Sequence, residues 1–388
     1  DKAERIKNDL QSKENKILRS IKKLTNCDVE VWAAASVAKA FESLKISYDR
    51  TPTGQPKFDK NFLASHDSPL AQMVVEAREI NKARTTFIES ITKHSHRGRI
   101  HAEIHQMRSD QGGTVTGRFS YSNPNLQQIP ARHGILGPLI RSIFIPEKDC
   151  EWGIFDYSQQ EPRLVVHYAS MRQYSGAGQF VDAYQNDDET DFHQLVADMA
   201  DIPRKQAKTI NLGLFYGMGK GKLMSQLGVS LEDATELLNA YHERVPFVKQ
   251  LMNDTMNKAS KKGFLFTLEG RRCRFDLWEP TNEWGSKALP LAEAQREYGE
   301  SMIKRAWTYK SLNRLIQGSA ADQTKKAMLE LSKEGYLAHI QVHDELDFSV
   351  ANEKDKDKIK EIMETCVELQ VPSKVDVECG KNWGDAGG

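Results

Sequence analysis

The stretch "HIQVHDELDFSV", residues 339–350, sets three ionisable side chains, His343, Asp344 and Glu345, between two apolar segments. Ile340 and Val342 precede the triplet, and Leu346, Phe348 and Val350 follow it. That is the period-two signature of paired strands, each turning one face to a core. The pattern predicts a hairpin with the triplet at its tip. Asp is a frequent turn residue for backbone reasons alone, so a polar turn that happens to be acidic stands beside a carboxylate displayed for chemistry. The rest of the chain has to decide between them.

A chain of 388 residues is too long for one core and implies two or three subdomains. No apolar run approaches a membrane span and no secretory segment opens the chain, so it reads as soluble, without a membrane partner. The five cysteines, Cys27, Cys150, Cys273, Cys366 and Cys379, are scattered without a CxxC pair. This argues against a disulfide framework or zinc site and fits a reducing compartment. Lys plus Arg and Asp plus Glu each number 54, a net charge of zero, so any surface for nucleic acid must be local. The first residue is Asp1 rather than Met, which fits a fragment of something longer.

The chain has four successive textures. Residues 1–95 read as mostly helical. Within them, "SPLAQMVVEAREINKARTTFIESI" offers Ser68 as N-cap, Pro69 at the first helical position and an apolar stripe from Leu70 through Ile91. Arg78, Lys82 and Arg84 fall on the opposite, solvated face. Residues 96–175 read as short strands and loops, 176–305 as helical, and 306–388 as strands mixed with helices. The order implies an α+β fold in which a β-containing platform is interrupted by a large helical insertion.

A second acidic position lies in "EWGIFDYSQQEPRLVV", where Trp152 to Phe155 read as a short strand ending at Asp156 and a helix begins near Glu161. Pro162 is tolerated in a first helical turn. Carboxylates at neighbouring strand ends suit a pair of magnesium ions, which take a few hard oxygens and complete their shell with phosphate. In "DIPRKQAKTINLGLFYGMG", Asp201 and Pro203 start a helix on which Arg204, Lys208, Leu212 and Tyr216 recur every four residues and share a face. Two cations one turn apart cost stability unless an anion lies across them. The face is ~18 Å long, enough for phosphates at one end and a base against Tyr216 at the other. A surface helix with a buried Leu/Tyr edge would explain the apolar residues but not the paired cations.

Quoted together, "DYSQQEPR" (156–163), "RKQAKTINLGLFYG" (204–217) and "VHDE" (342–345) resemble motifs A, B and C of the family A DNA polymerases, relatives of bacterial DNA polymerase I. "TGRFSYSNPNLQQIP" (116–130), "GRR" (270–272), "QGSAAD" (317–322) and the closing "GKNWGDA" agree in order. The resemblance covers the chain from about residue 28 onward. It implies a right-hand polymerase fold: a thumb and N-terminal helical region at 1–95, an antiparallel-sheet palm at 96–175 and 306–388, and helical fingers at 176–305.

It also implies the chemistry. Asp156 and Asp344 would hold two Mg2+ ions, for which Mn2+ can substitute. These would lower the pKa of the primer 3′-hydroxyl and neutralise the leaving pyrophosphate. Glu345 would tune the metal site or the primer end, and His343 would be structural or touch the primer. Arg204, Lys208 and His193 would bind the triphosphate of the incoming dNTP, with Lys208 as general acid toward pyrophosphate. Tyr216 would stack near the templating base, and Glu161 would crowd the sugar 2′ position. Arg118 and Gln317 would sense minor-groove acceptors common to all four base pairs, with Asn125, Gln127 and Asn313 as further contacts to primer-template DNA. The implied location is the cytoplasm of a bacterial or phage-infected cell, an organelle not excluded. An upstream exonuclease domain or replication accessory proteins are possible partners.

The departures from the pattern are specific. Leu212 stands where Phe or Tyr is usual, Gln160 and Pro162 replace apolar residues, Gln128 replaces Asn, and Tyr309 sits where Arg is common. Leu212 and "QQEPR" look more like phage or viral members. "CDVEVW" offers Asp28 and Glu30 at the DxE spacing of proofreading nucleases, but no further acidic motif accompanies it, so no proofreading is expected from this chain. Two other readings stay open: an RNA polymerase or reverse transcriptase on a similar palm, and a nucleic-acid-binding scaffold without activity.

Overall fold

The computed structural model of the protein describes residues 2–109, 112–130, 134–283 and 285–387. The chain divides into two compact units. One comprises Asp1–Glu103, Tyr121–Trp152 and Cys379–Gly388, and the other Ile104–Ser120 and Gly153–Glu378.

In the first unit, Ile21, Val37, Phe41, Phe58, Leu63, Leu70 and Val74 form the core between the helices Lys2–Thr25, Ala34–Ser43, Lys60–Ser65 and Pro69–Lys82. The Ser68 hydroxyl accepts from the Ala71 amide and Pro69 opens the helix, as the sequence predicts. Two expectations fail here. The apolar stripe does not run on one continuous α-helix, because Ala83–Glu89 winds as a π-helix. There the Thr85 hydroxyl donates back to Asn81 O at 2.9 Å, a bond that bends helices. Nor are Arg78 and Arg84 merely solvated. Arg78 donates to Val31 O and Phe58 O, both at 2.7 Å, and Arg84 pairs with the buried Glu14 at 3.2 Å. Charge patterning along one helix cannot reveal partners that distant in sequence.

A four-stranded sheet, ordered Ile340–Val342, Glu345–Val350, Glu151–Tyr157, Val375–Gly380, lies in the second unit except for the first two residues of its third strand and the last two of its fourth. Side chains alternate between its faces. Phe155, Tyr157, Leu346, Phe348, Val350 and Val375 point into a core completed by Ala327, Leu331, Ile359 and Met363 from the helices Ser311–Lys333 and Glu353–Thr365. The alternation leaves Asp156, Glu345, Asp376 and Glu378 on the other face. Gly153 is required in this sheet, since a Cβ there would lie 2.6 Å from Val350 Cγ2.

The Ser311–Lys333 helix also enters a second core. Its Leu312, Ile316 and Ala320 pack with Phe180, Tyr184, Phe192, Phe215, Tyr241 and Phe247 from a cluster of helices between residues 160 and 262. The stretch 176–305 is not helical throughout. Gly263, at φ +78°, ends the Pro246–Lys262 helix. The alternating Phe264–Phe266 and Arg272–Arg274 then pair antiparallel, and Leu277–Pro280 pairs with Leu289–Pro290 and with Ile303–Arg305. Asp201 does not start the next helix either. It is the left-handed C-cap, φ +53°, of Phe192–Ala200, and the following helix runs Arg204–Phe215. Among the described residues, no helix is long and apolar enough to cross a membrane.

Candidate active site

The opening hairpin forms with His343 and Asp344 as its two-residue turn, and His343 takes the left-handed conformation, φ +57°. Glu345 is not at the tip: it begins the second strand, paired with Val342. A two-residue turn is the shortest antiparallel connection, so the third residue of the triplet returns to the ladder. The turn lies against the neighbouring strand, where the Tyr157 amide donates to Asp344 O at 3.3 Å. Asp156 is the penultimate residue of that strand, which continues one residue beyond the expected end.

The site therefore concentrates carboxylates. Burial, then the charges of Asp344, Glu345, Asp376 and Glu378, push the Asp156 carboxyl up to about 8. Burial likewise raises Asp344, although its own amide, Arg118 and His343 act against the shift. Among the described residues no three His, Cys, Asp or Glu side chains are grouped to hold a metal unaided. Two aspartates in an excess of negative charge fit a hard divalent cation that completes its shell with other oxygens better than a closed protein cage.

Beside the aspartates runs a chain of hydrogen bonds. Arg118 Nη2 donates to Glu161 Oε1 at 2.7 Å, and the Tyr216 hydroxyl donates to Glu161 Oε2 at 3.3 Å. Burial and the Glu161 charge raise the Tyr216 hydroxyl, with Gln317 opposing the rise. Burial raises the Glu161 carboxyl, with Arg118 opposing the rise. Arg118, Glu161 and Tyr216, singled out separately in the sequence, are thus one connected group. Arg271 anchors it: its guanidinium donates to Asp322 at 2.9 Å, Thr116 O at 2.6 Å and Gly318 O at 3.0 Å, tying the loop that carries Arg118 to the helix that carries Gln317. Tyr216 caps its helix, and Gly217 follows at φ +71°, where a Cβ would lie 2.7 Å from Tyr309 O. Leu212, Tyr216, Tyr309 and Lys222 line one cavity of about 710 Å3.

Gln160, one of the departures, is buried and donates to Ala320 O, Gln323 Oε1 and Thr324 Oγ1 at 3.2–3.3 Å. A polar residue there replaces apolar packing with bonds to the Ser311–Lys333 helix. Arg163, also buried, donates to Ser158 O at 2.9 Å, Pro372 O at 2.7 Å and Asp188 O at 2.5 Å, and so bolts three loops together.

Arg204 and Lys208 project from exposed positions one turn apart. The anion that the pair requires is partly internal, which the sequence did not reveal: Asp191 accepts from Arg204 Nε at 2.8 Å and from Nη2. The same carboxylate caps the Phe192–Ala200 helix, accepting from the His193 and Gln194 amides at 2.8 and 3.1 Å. Burial favours its neutral form, but Arg204 and these amides outweigh burial and hold the carboxyl below its usual range. His193 is buried, and burial lowers its imidazole to about 4. Asn313 and Gln317 are half-buried on the Ser311–Lys333 helix. Asn125 and Gln127 belong to the first unit, where Asn125 Oδ1 accepts from the Gln127 amide at 3.2 Å and caps a short 3-10 turn. Asp28, of the nuclease-like spacing, pairs with Lys22 at 2.8 Å on the surface of that unit.

Sheet, paired aspartates and cationic helix together define a protein of the right-hand polymerase class. Residues 1–385 match the profile of DNA polymerase family A, and the chain belongs to that family. Relatives include a DNA-directed DNA polymerase of Pseudomonas phage M6, 37% identical over 427 aligned positions covering 97% of this chain and 61% of the phage protein. DNA polymerase I of Lactococcus lactis subsp. lactis (strain IL1403) is 33% identical over 339 positions, covering 82% of this chain and 35% of that protein. The chain therefore spans less than two thirds of the length of either. The POL domain of Pol1 from M. smegmatis, solved in complex with DNA primer-template and dNTP, matches with a TM-score of 0.76 at 26% identity, covering 100% of this chain and 67% of the other.

Proposed function

We propose that this chain is the polymerising part of a template-directed DNA polymerase that adds dNTPs to a primer 3′-hydroxyl. In the step, the 3′-oxygen bonds to the α-phosphorus, the bond from that phosphorus to the bridging oxygen breaks, and pyrophosphate leaves. The observation that carries the reading is Asp156, near the end of its strand, beside Asp344 in the hairpin turn that lies against that strand, both buried amid further carboxylates. Mg2+ bound by that pair, or Mn2+ in its place, would make the hydroxyl more acidic and neutralise developing phosphate charge. Arg204, Lys208 and His193 bind the triphosphate, and Lys208 supplies a proton to pyrophosphate. Glu161 excludes a 2′-hydroxyl by its bulk. Arg118 and Gln317 meet the minor groove of the primer-template, joined by Asn313, Asn125 and Gln127. Glu345 and His343 adjust the metal site and the primer end. No excision of mismatched primer ends is expected from this chain; an upstream exonuclease domain or replication accessory proteins would be its partners.

The test is primer extension on a primed DNA template with Mg2+ and four dNTPs, comparing the parent with Asp156→Ala and Asp344→Ala. Extension by the parent, abolished in both variants while duplex binding persists, supports the reading. A folded parent that binds the duplex but never extends it refutes the reading and leaves a binding scaffold.

A further inference from the structure

His193 sits in the first turn of the Phe192–Ala200 helix, and two other helices hold its ring. Asn211, fully buried on the Arg204–Phe215 helix, places its amide Nδ2 2.9 Å from His193 Nδ1. The amide oxygen of Asn211 accepts in turn from the hydroxyl of Tyr241 at 2.6 Å, on the Leu231–Arg244 helix. Tyr241 is fully buried as well. An amide nitrogen only donates, so Nδ1 facing it must be the unprotonated nitrogen of the ring. A neutral imidazole with a bare Nδ1 carries its proton on Nε2.

We infer that Tyr241 and Asn211 are positioning residues that hold His193 in the Nε2–H tautomer, so that it offers the triphosphate of an incoming nucleotide a neutral hydrogen-bond donor. The inference rests on the polymerase reading of His193. The opposite tautomer would point a lone pair at phosphate oxygens, two acceptors facing one another. The buried chain excludes that arrangement before substrate arrives. It also divides the labour among the three triphosphate ligands: Arg204 and Lys208 contribute charge, and His193 contributes a directional donor without adding a third cation to a helix end already crowded with two. Asp191 completes the positioning, since it fixes the His193 amide and the Arg204 guanidinium with one carboxylate. The ring and the backbone of His193 are therefore set by separate groups, Asn211–Tyr241 and Asp191. Neither Asn211 nor Tyr241 touches the substrate in this scheme, and both act through His193.

The tautomer is measurable without activity. In the full chain labelled with 15N-histidine, NMR correlations assigned through His193→Gln are expected to show His193 with Nε2 protonated and Nδ1 bare. A protonated Nδ1 in the parent overturns the inference whatever the enzyme does. The second measurement is a cycle of Tyr241→Phe, His193→Gln and the double variant, with melting temperature, KM for dNTP and kcat read for each. Gln places an amide N–H near the Nε2 position and has no tautomer to set. Loss of the Tyr241 hydroxyl frees the Asn211 amide to turn, so Tyr241→Phe is expected to raise KM roughly tenfold, with kcat moving less. The same change made on His193→Gln is expected to leave KM where it was. An equal rise in KM on both backgrounds overturns the inference, because Tyr241 would then act through general packing. A parent with the expected tautomer but no primer extension sinks the polymerase reading of His193 instead.

Discussion

Asp191 performs two tasks with one carboxylate, and replacing it separates them. Asp191→Ala removes the acceptor of the His193 and Gln194 amides and the partner of Arg204. Loss of an N-cap costs about 0.5–2 kcal/mol. The ion pair is open to solvent, with Arg204 48% and Asp191 31% exposed, and contributes less, about 0.2–1 kcal/mol. The sum, about 1–3 kcal/mol, lowers the melting temperature by roughly 2–10 °C in a unit of this size. Asp191→Asn retains a good cap and loses only the charge, so its melting temperature should fall by no more than about 4 °C. Nucleotide binding should move differently. The Asp191 charge lies on Arg204 and opposes the attraction of a triphosphate. Asp191→Asn should therefore lower KM for dNTP at low salt, while Asp191→Ala, with the helix start loosened under His193, should raise it. Thermal unfolding by circular dichroism and steady-state primer extension at two salt concentrations read both effects. The reasoning is refuted if Asn proves as destabilising as Ala, or if Asn raises KM.

Three further outcomes are expected. Glu161→Ala should increase ribonucleotide incorporation and, because Glu161 also holds Arg118 and Tyr216, lower kcat/KM for dNTP by roughly 10- to 100-fold, the loss of a charge-assisted hydrogen bond; unchanged dNTP kinetics would mean the chain from Arg118 to Tyr216 is idle. Leu212, on the helix face proposed to meet the nucleotide, has no hydroxyl to stand in for a missing 3′-hydroxyl, so Leu212→Tyr should improve dideoxynucleotide use by roughly 2- to 10-fold; equal use of ddNTP and dNTP by the parent would refute that reasoning. Burial lowers both His193 and His242 to about 4, below the 6.5 of an exposed imidazole, so the unfolded chain binds their protons first. Their contribution to stability is complete above about pH 6.5 and is lost as pH falls toward 4. Melting temperature followed over that window should drop in the parent and drop less steeply in His242→Gln; an identical slope in the two would exclude His242 as a source.

The parts of the site legible in the sequence are those that a local pattern enforces. The hairpin around Asp344 follows from alternation within twelve residues, the strand before Asp156 from a short apolar run, and the cationic face from a four-residue step. What escaped has the opposite character. Asp191 caps a helix, and nothing near it in the sequence announces that it also holds Arg204, thirteen residues away. Asn211 lies inside the quoted motif, yet its partners are 18 and 30 residues distant, and a buried Asn cannot be told from an exposed one without the three helices that enclose it. Gln160 reads only as a polar replacement of an apolar residue, and it is bonded to a helix 160 residues on. Side chains that present charge to a substrate keep a local signature because they must face outward at regular intervals. Side chains that orient them are satisfied by the interior, where any polar residue with a partner will serve, and only the assembled fold supplies the partner. The displayed and the orienting layers should therefore separate by assay: changes in the first, such as the exposed Lys208, should move kcat or KM without stability, and changes in the second should move KM and stability together, as with Asp191→Ala.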